Sequence, residues 1–259
     1  MKPTASFELH PGDGPLVATA IHNGHCMRAE VARLAALSNA DRLREEDPYT
    51  GMWTSIAPTR IVGQRSRFEF DLNRPRAKAV YQCPDDAWGL CVWREPLPAG
   101  VVEQSLAEYD LFYEALRATL DRLVAKHERV VVFDLHTYNH RRAGDELPPE
   151  AAEKNPEVNV GTGSLDRLKW ASVVERFIGD LQAVDYFGRA LDVRENVRFQ
   201  GGHFPQWIHA NYPASVCALA IEVKKFFMNE WTGEADWRQV LAIRAALASA
   251  VPGVLEIIS

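Results

Sequence analysis

The chain has 259 residues, 47% of them hydrophobic and 25% charged, which is ample for one large core or two small ones. A formal net charge of -6 and the lack of a dense lysine or arginine block give no electrostatic footprint for nucleic acid or an anionic membrane surface. No apolar run approaches the roughly 20 residues that span a bilayer, and the start "MKPTASFELHPGDG" has no signal-like apolar stretch, so a cytoplasmic location is the expectation. Cys26, Cys83, Cys91 and Cys217 include no CxxC pair. That sets aside a disulfide framework and a Cys-rich zinc site, and leaves them as reduced core thiols.

In chain order, "PLVATAI" (15–21) is the first short apolar run without polar alternation, the pattern of a strand buried on both faces. "RSRFEFDLNRPR" (65–76) alternates: if extended, it puts Arg67, Glu69 and Asp71 on one face and Phe68, Phe70 and Leu72 on the other. Leu106, Tyr109, Phe112, Leu116, Leu120 and Leu123 then step at three or four residues, which predicts an amphipathic helix. "RVVVFDL" (129–135) is a second buried strand, Val173, Phe177 and Leu181 mark another helix, "SVCALAIEV" (215–223) is a third strand, and Val240, Ile243 and Leu247 mark a last helix. Strands alternating with helices predict a single α/β domain over residues 1–259, a three-layer sandwich with a mixed, largely parallel central sheet. Long irregular stretches at 45–66, 75–100, 137–165 and 186–212 are the expected site walls.

Ligands of open α/β sheets bind beyond the carboxyl ends of the strands. The first run delivers His22 of "AIHNGH" to that end, the second His136 of "DLHTYNH", and the third Glu222 of "AIEVKK". Neutral imidazoles and a carboxylate arriving at one edge make three ligands for zinc or a similar divalent cation and leave a position for water. Asn73 and Arg74, at the end of the alternating segment, offer a planar guanidinium fork and an orienting donor for a carboxylate. His10, His127, His203 and His209 show no ligand spacing, and Trp88, Trp93, Trp207 and Trp231 read as packing.

"SRFEFDLNRPR", "DLHTYNHRR", "NVGTG", "ENVRFQGGH" and "ALAIEVKKFF", in that order between about residues 20 and 231, resemble the N-formylglutamate amidohydrolase family, whose fold is similar to that of zinc carboxypeptidases and aspartoacylase. The resemblance implies a carboxypeptidase-like fold and a metal-dependent hydrolase that cleaves the amide of an N-acylated acidic amino acid, classically to formate and glutamate. It also implies one divalent metal ion, zinc foremost, and a small acylated amino acid as partner. His22 and His136 match the family's metal-binding histidines, and Glu222 looks like its general base. Arg67 matches the arginine opening the Arg67–Arg74 block and would stabilise the oxyanion, while Asn73 and Arg74 match the pair that holds the substrate carboxylate. The third metal ligand is either Asp47, in "REEDPYTGMW", or His25, with Asp47 preferred. A substrate side-chain carboxylate would need a further cation, for which Arg141 in "HRR" and Arg198 are the candidates. The rival classes are a hydrolase of another N-acyl amino acid or small peptide, a non-haem iron oxygenase, and a non-catalytic carboxylate-binding module.

Overall fold

The nine-residue strand Val130–Tyr138 is buried along its whole length and forms the middle of a seven-stranded sheet. A computed structural model of the chain describes residues 5–259. In chain order the strands are β1 (Phe7–His10), β2 (Leu16–Ala20), β3 (Thr59–Gly63), β4 (Val130–Tyr138), β5 (Val158–Gly161), β6 (Val193–Glu195) and β7 (Val216–Lys224). Their spatial order is β1-β3-β2-β4-β7-β5-β6, with β1 against β3 and β5 against β7 antiparallel and the other pairs parallel. The three predicted strands are the adjacent central three. Each is covered on both faces, which is why each reads as a continuous apolar run.

The helices are α1 (Ala29–Leu34), α2 (Asn39–Glu45), α3 (Thr50–Trp53), α4 (Ala99–Val124), α5 (Ala171–Gln182), α6 (His203–Asn211), α7 (Trp237–Ser249) and α8 (Val251–Ile258). One face of the sheet, through Val131, Phe133, Cys217 and Leu219, packs on Phe177 of α5, Ile243 of α7 and Val254 of α8. The other, through Val17, Val132 and Ala218, packs on Phe112 and Leu116 of α4 and Phe204 of α6. The layers are therefore helix, sheet and helix, as the alternation of elements predicts.

Three expectations are corrected. Residues 65–76 do not form a strand: the backbone folds through turns in which the Glu69 amide donates to the Ser66 carbonyl at 2.9 Å and the Arg74 amide to the Asp71 carbonyl at 3.1 Å. Glu69 and Asp71 are each fully buried and each takes its own cation, Arg28 Nε at 2.5 Å and Arg67 Nη2 at 2.8 Å. A buried carboxylate without a partner is too costly, and this requirement overrides the alternation. Of the cysteines, only Cys217 is a core thiol; Cys26, Cys83 and Cys91 are exposed. Finally, Trp237–Ile258, 22 residues with a mean hydropathy of 1.8 in an 18-residue window, is long and apolar enough by composition to cross a bilayer. Here it breaks into α7 and α8 and buries Val240, Ile243, Leu247 and Val254 in the core.

Candidate active site

Parallel β2, β4 and β7 point their carboxyl ends to the same edge. The register sets His136 directly opposite Glu222 and Thr19 opposite Asp134, while His22 follows two residues after β2. Side chains alternate along a strand, so Asp134 and His136 lie on one face. Asp134 Oδ2 sits 2.9 Å from His136 Nε2, and its Oδ1 accepts from the Thr19 hydroxyl at 2.9 Å. Just past β2, His22 Nε2 lies 2.7 Å from Asp71 Oδ1. Each imidazole is thus held at Nε2 by a buried carboxylate, which leaves both Nδ1 atoms pointing the same way.

Both Nδ1 atoms face Asp47. Its Oδ2 is 2.9 Å from His136 Nδ1 and 3.4 Å from His22 Nδ1, and its Oδ1 accepts from the Thr137 hydroxyl at 2.9 Å. One ligand atom from each of His22, Asp47 and His136 lies within 4.8 Å of the others, and all three residues are buried. Burial alone would raise the Asp47 carboxyl, but its contacts with His136 and His22 outweigh that and hold it well below the carboxylate range. His136 is pushed well above the usual imidazole range: burial opposes this, and the charge of Asp134 and its hydrogen bond prevail.

This donor set fits a divalent cation. Ligand bonds of about 2.0–2.1 Å in a tetrahedral arrangement put donor atoms roughly 3.3 Å apart, against 2.9 and 3.4 Å from Asp47 Oδ2 to the two Nδ1 atoms. His22 Nδ1 is buried with no hydrogen-bond partner among the described residues, and an orphaned imidazole nitrogen at such a place matches a ligand in waiting. The carboxylates behind each Nε2 are the outer partners that metal-binding histidines use to fix tautomer and ring orientation. His25 is not brought to this point; its Nδ1 lies 2.5 Å from Glu46 Oε2 and its Nε2 3.2 Å from Arg42 Nη2.

The cluster opens on a cavity of about 470 Å³ whose walls include Glu222, Arg67, Asn73, Arg74, Trp88 and Lys225. Burial pushes the Glu222 carboxyl up to about 7, with Asp47 and Asp134 adding to the rise and His136 opposing it. Arg67 donates to Asp71 Oδ2 at 2.8 Å and stacks 4.8 Å from the Trp88 ring, while its buried Nε has no partner among the described residues. Asn73 Oδ1 accepts from the Phe204 amide at 2.9 Å, tying the "DLNR" turn to the start of α6. A Cβ at Gly202 would come within 2.4 Å of Asn73 Oδ1, so a larger residue there would push the Asn73 side chain out of its place at the junction. Arg74 is the least engaged cation of the wall, with only a 3.5 Å contact to the Asp86 carbonyl and a 4.0 Å approach to Asp71.

Arg141 and Arg198 do not reach the cavity. Arg141 turns to the carbonyls of Asp145 and Leu147, and Arg198 to Glu150 and Asn155. Arg142 is in the wall instead, already paired with Glu45 at 3.2 Å. His203 and Trp88, read from the sequence as ordinary packing or surface residues, also line it. Asp134 was within reach of sequence reasoning, because a carboxylate two residues before a strand histidine shares its face. Lys225 carried no such signal, whereas Asp71 stands on the alternating face with Arg67 and Arg142 in the candidate "HRR" run beside Arg141.

The N-formylglutamate amidohydrolase profile matches residues 14–228, most of the chain. The chain belongs to the N-formylglutamate amidohydrolase family. The family's segment holds His22, Asp47, His136 and Glu222 and all seven strands except β1. The fold is shared with an N-formylglutamate amidohydrolase from Ralstonia eutropha JMP134, at 18% identity and a TM-score of 0.76, over 98% of this chain and 99% of that one. It is also shared with gene product Atu2144 from Agrobacterium tumefaciens, at 15% identity and a TM-score of 0.70, over 99% and 97%. No curated protein matches the chain.

Proposed function

We propose that this amidohydrolase is a divalent-metal-dependent enzyme that cleaves the amide of an N-formyl amino acid, with N-formylglutamate as its substrate and formate and glutamate as products. The observation that carries the reading is the convergence of His22, Asp47 and His136 at 4.8 Å or less, next to a carboxylate set across from His136 by the sheet register. His22 Nδ1, His136 Nδ1 and Asp47 Oδ2 would hold the ion, and two imidazoles with one carboxylate favour zinc. A bound divalent cation supplies Lewis acidity and lowers the pKa of water towards 7.

Glu222 takes a proton from the attacking water and delivers it to the amine nitrogen as the C–N bond breaks. A carboxyl held near 7 suits both halves of that transfer at neutral pH. Arg74 grips the substrate α-carboxylate with its loosely held fork, and the Asn73 amide NH₂, whose oxygen is already used to bind α6, adds a donor. Arg67, locked by Asp71 and Trp88, presents its unpartnered Nε to the developing oxyanion. Because Arg67 is fixed before substrate arrives, no reorganisation is needed when charge develops.

A second substrate reading, an N-acyl amino acid with a neutral side chain, is favoured by the remaining cations: Arg141 and Arg198 lie outside the cavity and Arg142 is neutralised by Glu45. Hydrolysis of N-formyl and N-acetyl amino acids by metal-loaded protein, read as free amine, separates the two. Release from N-formylglutamate above all others supports the narrow assignment, and preference for a neutral side chain replaces it with the second. No release from any of them with metal bound would remove the amidohydrolase reading.

A further inference from the structure

Lys225 is among the most deeply buried side chains of the protein, with 1% of its surface exposed. Buried lysines normally have a carboxylate partner, yet no carboxylate lies within ion-pair distance of Lys225 among the described residues. Its ammonium donates instead to two backbone carbonyls, Arg44 at 2.6 Å and Glu46 at 2.8 Å. The Arg44 carbonyl belongs to the last turn of α2 and the Glu46 carbonyl lies just past its end, where carbonyls have no partner within the helix. Lys225 therefore closes the end of α2 at the segment that leads directly into Asp47.

The backbone of Lys225 is fixed as well. It follows the last residue of β7, three positions after Glu222, and its amide donates to the Tyr138 carbonyl at the end of β4 at 3.0 Å. One residue thus joins three parts of the site: β4, which carries His136; β7, which carries Glu222; and the 44–47 segment, which carries Asp47. Asp47 has further anchors, its amide on the His22 carbonyl at 2.9 Å and its carbonyl on the Thr50 hydroxyl at 2.6 Å. Both lie at or beyond Asp47 itself. The approach to Asp47 from α2 is held by side-chain bonds of Glu45 to Asn139 at 3.2 Å and of Glu46 to Ser66, and by Arg67 on the Glu45 carbonyl at 3.3 Å, while the ammonium ties the Arg44 and Glu46 carbonyls on either side of that one to the end of β7.

From this we infer that Lys225 is a positioning residue: its two bonds to the Arg44 and Glu46 carbonyls set the place of Asp47 relative to His22 and His136, and so the affinity of the site for its cation. The inference rests on the metal-binding reading above. Removing the ammonium leaves two buried carbonyls without donors, and the segment satisfies them by rotating towards water. Asp47 moves with it, while both imidazoles stay in place on Asp71 and Asp134. Partners of this outer kind are worth roughly 10- to 100-fold in metal affinity.

The test compares wild-type protein with Lys225→Met, which keeps the stem length and removes the donors. Zinc affinity is measured by chelator competition, and amide hydrogen exchange is followed in the metal-free proteins. The expected result is a roughly 10- to 100-fold weaker zinc affinity, with faster exchange confined to residues 44–47 and turnover restored by raising the zinc concentration. Lys225→Gln, which keeps an N–H donor on a shorter stem, is expected to lose less and gives the same readout if Lys225→Met does not fold. Unchanged zinc affinity in a folded variant overturns the inference, as does exchange that rises uniformly over the whole chain. Wild-type protein that binds no zinc removes the metal reading and the inference together; wild-type protein that binds zinc as tightly as Lys225→Met removes the inference alone.

Discussion

The two walls of the cavity are built differently. On the sheet side, His22, His136 and Glu222 stand at the ends of three adjacent parallel strands, and both imidazoles are locked by buried carboxylates. On the loop side, Asn73 and Arg74 sit on turns, and the Arg74 side chain is more than a third exposed. On the proposed function, the first wall would hold a fixed ion and carry the proton transfer, and the second would keep a cation loosely held for the substrate to take. Rigidity is placed where chemistry needs it and freedom where ligands must enter.

That contrast sets the order of expected effects. Glu222→Gln removes the proton carrier without touching the ion's ligands, so kcat should fall by about 10²- to 10⁴-fold with metal content unchanged. Loss of metal along with turnover would show that the two functions are not separate. Arg74→Met acts on the other wall: KM should rise roughly 10- to 100-fold, the loss of about 1.5–3 kcal/mol of charge-assisted hydrogen bonding, with kcat much less affected. A fall in kcat at unchanged KM would place Arg74 in the chemistry instead of in binding.

A smaller effect concerns stability of the metal-free protein. The Glu222 carboxyl titrates at about 7 in the fold and at 4.5 when unperturbed. Below pH 4.5 it is protonated in both states and contributes nothing; between 4.5 and 7 the unfolded chain releases its proton first, so stability is lost as pH rises. Glu222→Gln lacks this loss. Chemical denaturation should therefore find it about 1–3 kcal/mol more stable than wild type at pH 8, with the difference gone near pH 4. An equal gain at both pH values would mean that the charge of Glu222 is not what costs stability. Smallest of all is Arg198→Met, whose partners Glu150 and Asn155 lie outside the cavity; kcat/KM should stay within about threefold of wild type. A large rise in KM for N-formylglutamate would restore Arg198 to the substrate site.

The same contrast explains what could be read from the sequence. The central strands were legible because burial on both faces makes each an uninterrupted apolar run, and His22, His136 and Glu222 were legible as the polar residues at the end of each. Asp47 entered only through family resemblance, since it comes from a segment with no periodicity and reaches the site through a backbone bond to His22. The alternation of Phe and acidic residues in the 65–76 segment mimics a strand, while its conformation is fixed by Arg28 and His22, both remote in the chain, and by the local pair of Arg67 with Asp71. In the 137–165 stretch nothing in the spacing distinguishes Arg141 from Arg142. Only the fold turns one towards the Asp145 carbonyl and the other into the cavity.

The central claim is that His22, Asp47 and His136 hold one divalent cation, and titration of metal-free protein with cobalt(II) or zinc tests it most directly. Saturation at one equivalent per chain is expected in the wild type, with loss of that binding in both Asp47→Asn and His136→Ala. Failure of the wild type to bind, or tight binding that persists in His136→Ala, would contradict it.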